Sequence, residues 1–218
     1  MRPNVILHVL PTLIKSYLNY YMEYTAQTFN LPTLEGISAK SIEEHIGLYN
    51  GYVKNFNATT ALAGELMKDA DKNSLAIAEL MRRRSFEFGG MRLHELYFPQ
   101  FEGASKELDA ASALGTAITA QYSKIEYCMM EVRQVAMMRG PGWSLLYWDP
   151  TVKQFLVGFS GEQHMGHFAT LPIVLALDVW EHAYLLDYGA KGKGKYVDAF
   201  FKNLNWSAVE NRFASLSA

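Results

Sequence analysis

The sequence predicts an α+β protein: an N-terminal helical hairpin domain packed on a C-terminal α/β domain with a small antiparallel sheet. Three observations predict it. Apolar residues keep helical spacing from Ser38 to about Met91, and the pattern changes after Pro99-Gln100-Phe101-Glu102-Gly103. Three short runs, 143–148, 154–159 and 173–177, then read as strands. Helices followed by a mixed segment imply two parts, 22–101 and 102–218, that meet at a shared site.

Each element has a local reason. Ser41-Ile42-Glu43-Glu44 has the form of a capping box, in which serine accepts from early amides and the glutamate reaches back. Beyond it His45, Leu48, Tyr49, Tyr52, Val53 and Phe56 share one helical face. Segments 58–70 and 73–84 read as two further helical pieces, punctuated by Asp71-Lys72-Asn73. Gly89-Gly90 breaks or closely packs the chain before 91–98, and Pro99 to Gly103 is the best linker. Segment 110–138 reads as helix and Gly140-Pro141-Gly142 ends it; Asp149-Pro150 turns the first strand into the second. Segments 196–201 and 207–213 close the chain as helices, after a basic turn at 189–195.

With 218 residues, half of them apolar, the chain can bury a substantial core. A net charge of −2 argues for neither nucleic acid nor an anionic membrane as partner, and Arg82-Arg83-Arg84 reads as a solvated helix face. The single cysteine, Cys128, allows no internal disulfide and fits a reducing, cytoplasmic compartment. No apolar stretch reaches the roughly 18 residues that span a bilayer. In residues 1–21, short apolar pieces interrupted by His8 and Pro11 imitate a signal peptide without a small-x-small cleavage site; they read as an extension.

The chemistry concentrates at Leu177-Asp178-Val179-Trp180-Glu181-His182-Ala183-Tyr184. A carboxylate and an imidazole four residues apart can converge on one point, and mixed N/O sets suit iron, manganese and zinc. Spacing alone is weak evidence, since helix faces carry such pairs by chance. Of the six histidines, most are expected to be ordinary core or surface residues. Three histidines and an aspartate also fit a zinc hydrolase or a mononuclear iron oxygenase, although the His-Glu-x-x-His spacing of zincins is absent.

The filling of that run is more specific. Asp178 to Tyr184, DVWEHAY, closely resembles the carboxy-terminal signature of the iron/manganese superoxide dismutases. His45, followed by Tyr52-Val53-Lys54-Asn55, resembles the family's first-helix motif, and Gly89 to Phe98 around His94 resembles the second. Gly140-Pro141-Gly142-Trp143 matches a Gly-x-Gly-Trp element, so four motifs stand in order across roughly 30 to 213. Segment 22–35 looks like an ordinary amino terminus for the family.

The resemblance implies the family's fold and activity, conversion of superoxide to dioxygen and hydrogen peroxide by redox cycling of one Fe or Mn ion per subunit. The alternative is a catalytically silent, metal-binding or structural member of the same fold. The implied ligands are His45, His94, Asp178 and His182, with solvent as a fifth. Iron-type members often carry a glutamine at the position of Gly90, so here the donor to solvent is expected from the second half. The stretch Glu162-Gln163-His164-Met165-Gly166-His167 resembles an archaeal variant and favours His164 over Gln163 and His167. Tyr52 is implied as the phenol at the substrate funnel, seven rather than the usual eight residues after His45, with Trp143 and Trp180 as apolar walls. Glu181 is implied as the bridge across a homodimer. Leu185 replaces a usual tyrosine there, and Leu48 or Tyr49 replaces its histidine partner, so the funnel is expected to be remodelled. Lys193 is expected to supply positive field for the anion.

Overall fold

A computed structural model describes residues 21–216; the expected extension at 1–21 lies, but for Tyr21, outside the described residues. The first helix, α1 (Ala39–Leu66), is capped by Ser38 rather than by the expected box at Ser41. Ser38 has extended backbone, and its Oγ accepts from the Ser41 N–H at 3.1 Å. Ser41 is buried inside the first turn, and Glu44 pairs with Lys40 at 3.4 Å instead of reaching back.

α1 runs unbroken to a 3-10 turn at Met67–Asp69, and α2 (Ser74–Tyr97) then packs along it. His45, Tyr49, Val53 and Phe56 face the seam from α1; Met91, His94 and Tyr97 face inward from α2. Gly89-Gly90 does not break α2, which continues through both. Of the two roles expected for this pair, close packing is the one realised.

The expected linker is instead part of the core. Phe98–Phe101 forms a 3-10 turn in which Phe98, Gln100 and Phe101 are buried. Gln100 donates through Nε2 to the Ala176 carbonyl at 2.8 Å, and its Oε1 accepts the Ala176 N–H at 2.9 Å. The carboxamide thus pairs with a strand edge as another strand would.

In the second half, the single helix expected over 110–138 is two, α3 (Ala113–Tyr122) and α4 (Ile125–Ala136). Ser123, left-handed at φ 67°, and extended Lys124 turn the chain between them. The sheet is antiparallel with order β2-β1-β3: β1 (Gly142–Asp149), β2 (Gln154–Gly161) and β3 (Ile173–Asp178). Central β1 is buried almost throughout, which explains its continuous apolar run. Its register sets Trp143 opposite Asp178. The short helix α5 (Leu185–Tyr188), then α6 (Lys193–Asn203) and α7 (Trp206–Leu216) complete the chain. Arg212 of α7 ties the halves together by donating to the carbonyls of Leu96 at 2.7 Å and Val174 at 2.9 Å. Among the described residues no helix is long and apolar enough to cross a membrane.

Candidate metal centre

Four side chains converge where the hairpin meets the sheet. His45 comes from α1, His94 from α2, Asp178 from the end of β3 and His182 from the 3-10 turn Glu181–Ala183 that follows. One donor atom of each lies within 4.8 Å of all the others. His45 Nε2 stands 3.0 Å from His94 Nε2 and 3.1 Å from Asp178 Oδ2; Oδ2 is 3.1 Å from His182 Nε2 and 3.6 Å from His94 Nε2. Two donors, each about 2.1 Å from one ion, lie about 3.0 Å apart at a right angle and about 3.6 Å apart at 120°. The spacings match, so the residues fit a metal ion.

The protonation states fit as well. The His94 Nδ1–H donates to the Gly90 carbonyl at 2.6 Å, which leaves Nε2 with its lone pair toward the cluster. Burial, reinforced by neighbouring His45, holds His94 down to about 3, and burial lowers His45 against the pull of Asp178. Burial alone would raise the Asp178 carboxyl, yet His182 and His45 hold it well below the usual carboxylate range. Its Oδ1 accepts the Trp180 N–H at 2.8 Å, which fixes the carboxylate and leaves Oδ2 for an ion. Neutral imidazoles beside an ionised carboxylate are what a cation requires.

Around the cluster, the Tyr52 ring lies 5.3 Å from that of His94. Its Oη accepts from Gln163 Nε2 at 2.9 Å, while Gln163 Oε1 accepts from Trp143 Nε1 at 2.8 Å. Trp143, fully buried, packs edge-on against His94 at 5.1 Å.

Comparison with known proteins agrees with this geometry. Residues 110–212 match the model of the C-terminal domain of iron/manganese superoxide dismutases. The chain is 34% identical to an iron superoxide dismutase of Aquifex pyrophilus, over 83% of this chain and 85% of that protein. It is 37% identical to one from Cupriavidus metallidurans, over 84% and 91%. A mitochondrial manganese superoxide dismutase of Glossina morsitans morsitans is 29% identical, over 82% of each. The chain belongs to the iron/manganese superoxide dismutases.

Within this superoxide dismutase fold the remaining expected residues fall as follows. Trp180 stacks on His182 at 5.7 Å and donates through Nε1 to the Glu162 carbonyl at 3.2 Å. Gly90 is where the Tyr52 ring rests: a Cβ there would come within 2.6–2.8 Å of three ring atoms. Glu181 is exposed beside His182. Leu48 and Leu185 are both exposed, whereas Tyr49 is buried, accepting from the Gln27 N–H at 2.7 Å and donating to Glu95 at 3.2 Å. Lys193 spends its ammonium on the Met138 carbonyl at 2.7 Å.

The three candidates of the 162–172 loop fall in different surroundings. His164, favoured from the sequence, packs against Phe86 at 5.7 Å, and its Nδ1 has no hydrogen-bond partner. Fully buried Gln163 is the loop residue that meets Tyr52. His167 braces the loop: its Nδ1 lies 2.9 Å from Tyr147 Oη and its Nε2 3.1 Å from Ser160 Oγ. The sequence reading also passed over Phe86, which touches Tyr52 at 5.9 Å and Trp180 at 6.4 Å, and buried Glu87 beside it. A signal for both was available: Phe86, Glu87, Gly90 and His94 follow one helical stripe.

Proposed function

We propose that this chain disproportionates superoxide, with His45, His94, Asp178 and His182 holding one iron or manganese ion. The convergence of three imidazoles and one carboxylate carries this reading. Bound there, the ion supplies the one-electron exchange by which one superoxide is oxidised to dioxygen and a second is reduced. The protein's own groups handle protons and access. Tyr52 and Gln163 form the hydrogen-bonding face next to His94. Gln163, rather than His164, is taken as the donor to solvent, because its amide is buried between Trp143 and Tyr52. Trp143 and Trp180 exclude bulky competitors. The cluster combines 22–101, with His45 and His94, and 102–218, with Asp178 and His182, and these are read as two domains sharing one site. A homodimer through exposed Glu181 is proposed as the assembly, and the cytoplasm as a compartment that suits free, buried Cys128.

The test loads the protein with iron alone and with manganese alone and compares metal content and superoxide-dependent activity. Protein holding one ion per chain yet inactive with both metals would overturn the enzymatic reading. Gln163→Ala is expected to lower kcat about 10–100-fold, and His164→Ala much less; the reverse order would return the donor role to His164.

A further inference from the structure

Reducing superoxide to hydrogen peroxide adds one electron and two protons, and the proposed reaction needs those protons at a buried site. The α2 wall beside Tyr52 carries a buried carboxylate, Glu87, next to Phe86, whose ring packs on Tyr52.

Its setting is unusual for a carboxylate. Glu87 is 1% exposed and stands one turn before Gly90, on which the Tyr52 ring rests. Its Oε1 accepts from Arg83 Nε at 2.6 Å, while Oε2 is buried with no hydrogen-bond partner. A buried carboxylate oxygen left bare is costly, so it calls for a water. Arg83, half exposed, lies with its guanidinium 4.2 Å over the Phe86 ring, and Phe86 in turn packs on Tyr52. The ion pair therefore spans from solvent to the wall beside Tyr52. Arg82-Arg83-Arg84 is accordingly not one uniform solvated face: Arg82 pairs with exposed Glu79, whereas Arg83 pairs inward.

We propose that Glu87 is a positioning residue for proton delivery, whose Oε2 holds a water that passes protons from solvent beside Arg83 to the Tyr52 hydroxyl. A proton from solvent beside Arg83 passes onto the bound water as that water gives one to Tyr52 Oη. The phenol simultaneously gives up its own proton toward the nascent peroxide. Two such transfers with one electron complete hydrogen peroxide. This step rests on the superoxide reading above.

The experiment compares metal-loaded wild type, Glu87→Gln and the exposed-carboxylate control Glu79→Gln by stopped-flow kinetics. E87Q is expected to lower kcat about tenfold while kcat/KM stays within about twofold, because encounter is untouched. Its solvent deuterium isotope effect on kcat should exceed that of wild type, and added imidazole should restore the rate; E79Q should match wild type. A crystal structure should show a water on Glu87 Oε2 linked to Tyr52 Oη. Unchanged kcat and isotope effect in E87Q, or Oε2 without such a water, would overturn the proposal. If E87Q does not fold, the double variant R83Q/E87Q, which removes both charges of the pair, takes its place with the same expected outcome. An inactive wild type would refute the superoxide reading itself; an active one with an indifferent Glu87 refutes only this step.

Discussion

Replacing Gly89 by alanine tests whether α2 holds the loop that delivers Gln163. A Cβ at Gly89 would meet the Gln163 carbonyl oxygen at 1.9 Å and its carbonyl carbon at 2.8 Å. Both are backbone atoms, so no change of rotamer relieves the overlap. The loop must retreat by about 1.5 Å to recover an ordinary contact of 3.4 Å. A shift of that size breaks the bonds from Trp143 and to Tyr52, each contributing about 1 kcal/mol, and overpacking adds about 1–3 kcal/mol. Helix propensity pulls the other way by about 0.5–1 kcal/mol. The expected net effect is a destabilisation of about 2–4 kcal/mol. Gly47→Ala is the reference: exposed in α1, with nothing within 4 Å of its Cβ, it should gain about 0.5–1 kcal/mol. Urea unfolding of the metal-free proteins measures both. Metal-loaded G89A should retain its ion, since no ligand sits on the loop, yet lose kcat as Gln163 withdraws. A G89A protein as stabilised as G47A, with full kcat, would refute the packing argument.

Acid should unfold the metal-free protein by a definite route. His94, at about 3 in the fold, and lowered His45 stay neutral, while the unfolded chain takes up protons below the ordinary value of 6.5. Stability is therefore level above pH 7 and falls as pH drops from about 6.5, His94 alone accounting for about 2 kcal/mol at pH 5. Asp178, held low, withdraws its contribution only as pH falls below the ordinary 3.8; urea midpoints that are flat from pH 8 to 4.5 would contradict this. Removing the metal should also lower Tm, because an ion bound only by the folded state at a hundredfold excess over Kd adds about 2.7 kcal/mol. His94→Ala should purify with little metal; metal content equal to wild type would remove His94 from the ligand set.

The parts legible in the sequence were those where one residue type admits few environments. Asp178 and His182 stand in a local run, and His45 and His94 occur in helical stretches whose apolar spacing already faces them inward. The strands were readable because β1 is buried on both faces and bounded by Gly-Pro-Gly and Asp-Pro. Linker and loop were not. Pro99 to Gly103 carries turn residues, but what decides its role is Gln100 reaching Ala176, 76 positions away. The choice between Gln163 and His164 likewise depends on distant residues. Neighbours in sequence, they point to different surroundings, Gln163 to Tyr52 and Trp143 and His164 to Phe86. Resemblance of a loop does not fix which of two adjacent side chains turns inward.

Gly89 and Gly90 explain why the inward residue comes from the second half at all. Space beside Gly90 is taken by the Tyr52 ring, and space beside Gly89 by the Gln163 backbone. One side-chain-free turn of α2 thus admits a phenol from α1 and a carboxamide from the β2–β3 loop, close enough to share a hydrogen bond of 2.9 Å. A glutamine side chain at position 90 would have to pass through the volume the phenol occupies. With the phenol in this place, the carboxamide that meets it comes from across the sheet. His167, anchored to Tyr147 and Ser160 on β1 and β2, gives that loop the fixed footing the arrangement requires. The glycines are then as much a part of the site as the four clustered side chains: they set which half of the chain supplies the hydrogen bond to Tyr52 beside His94.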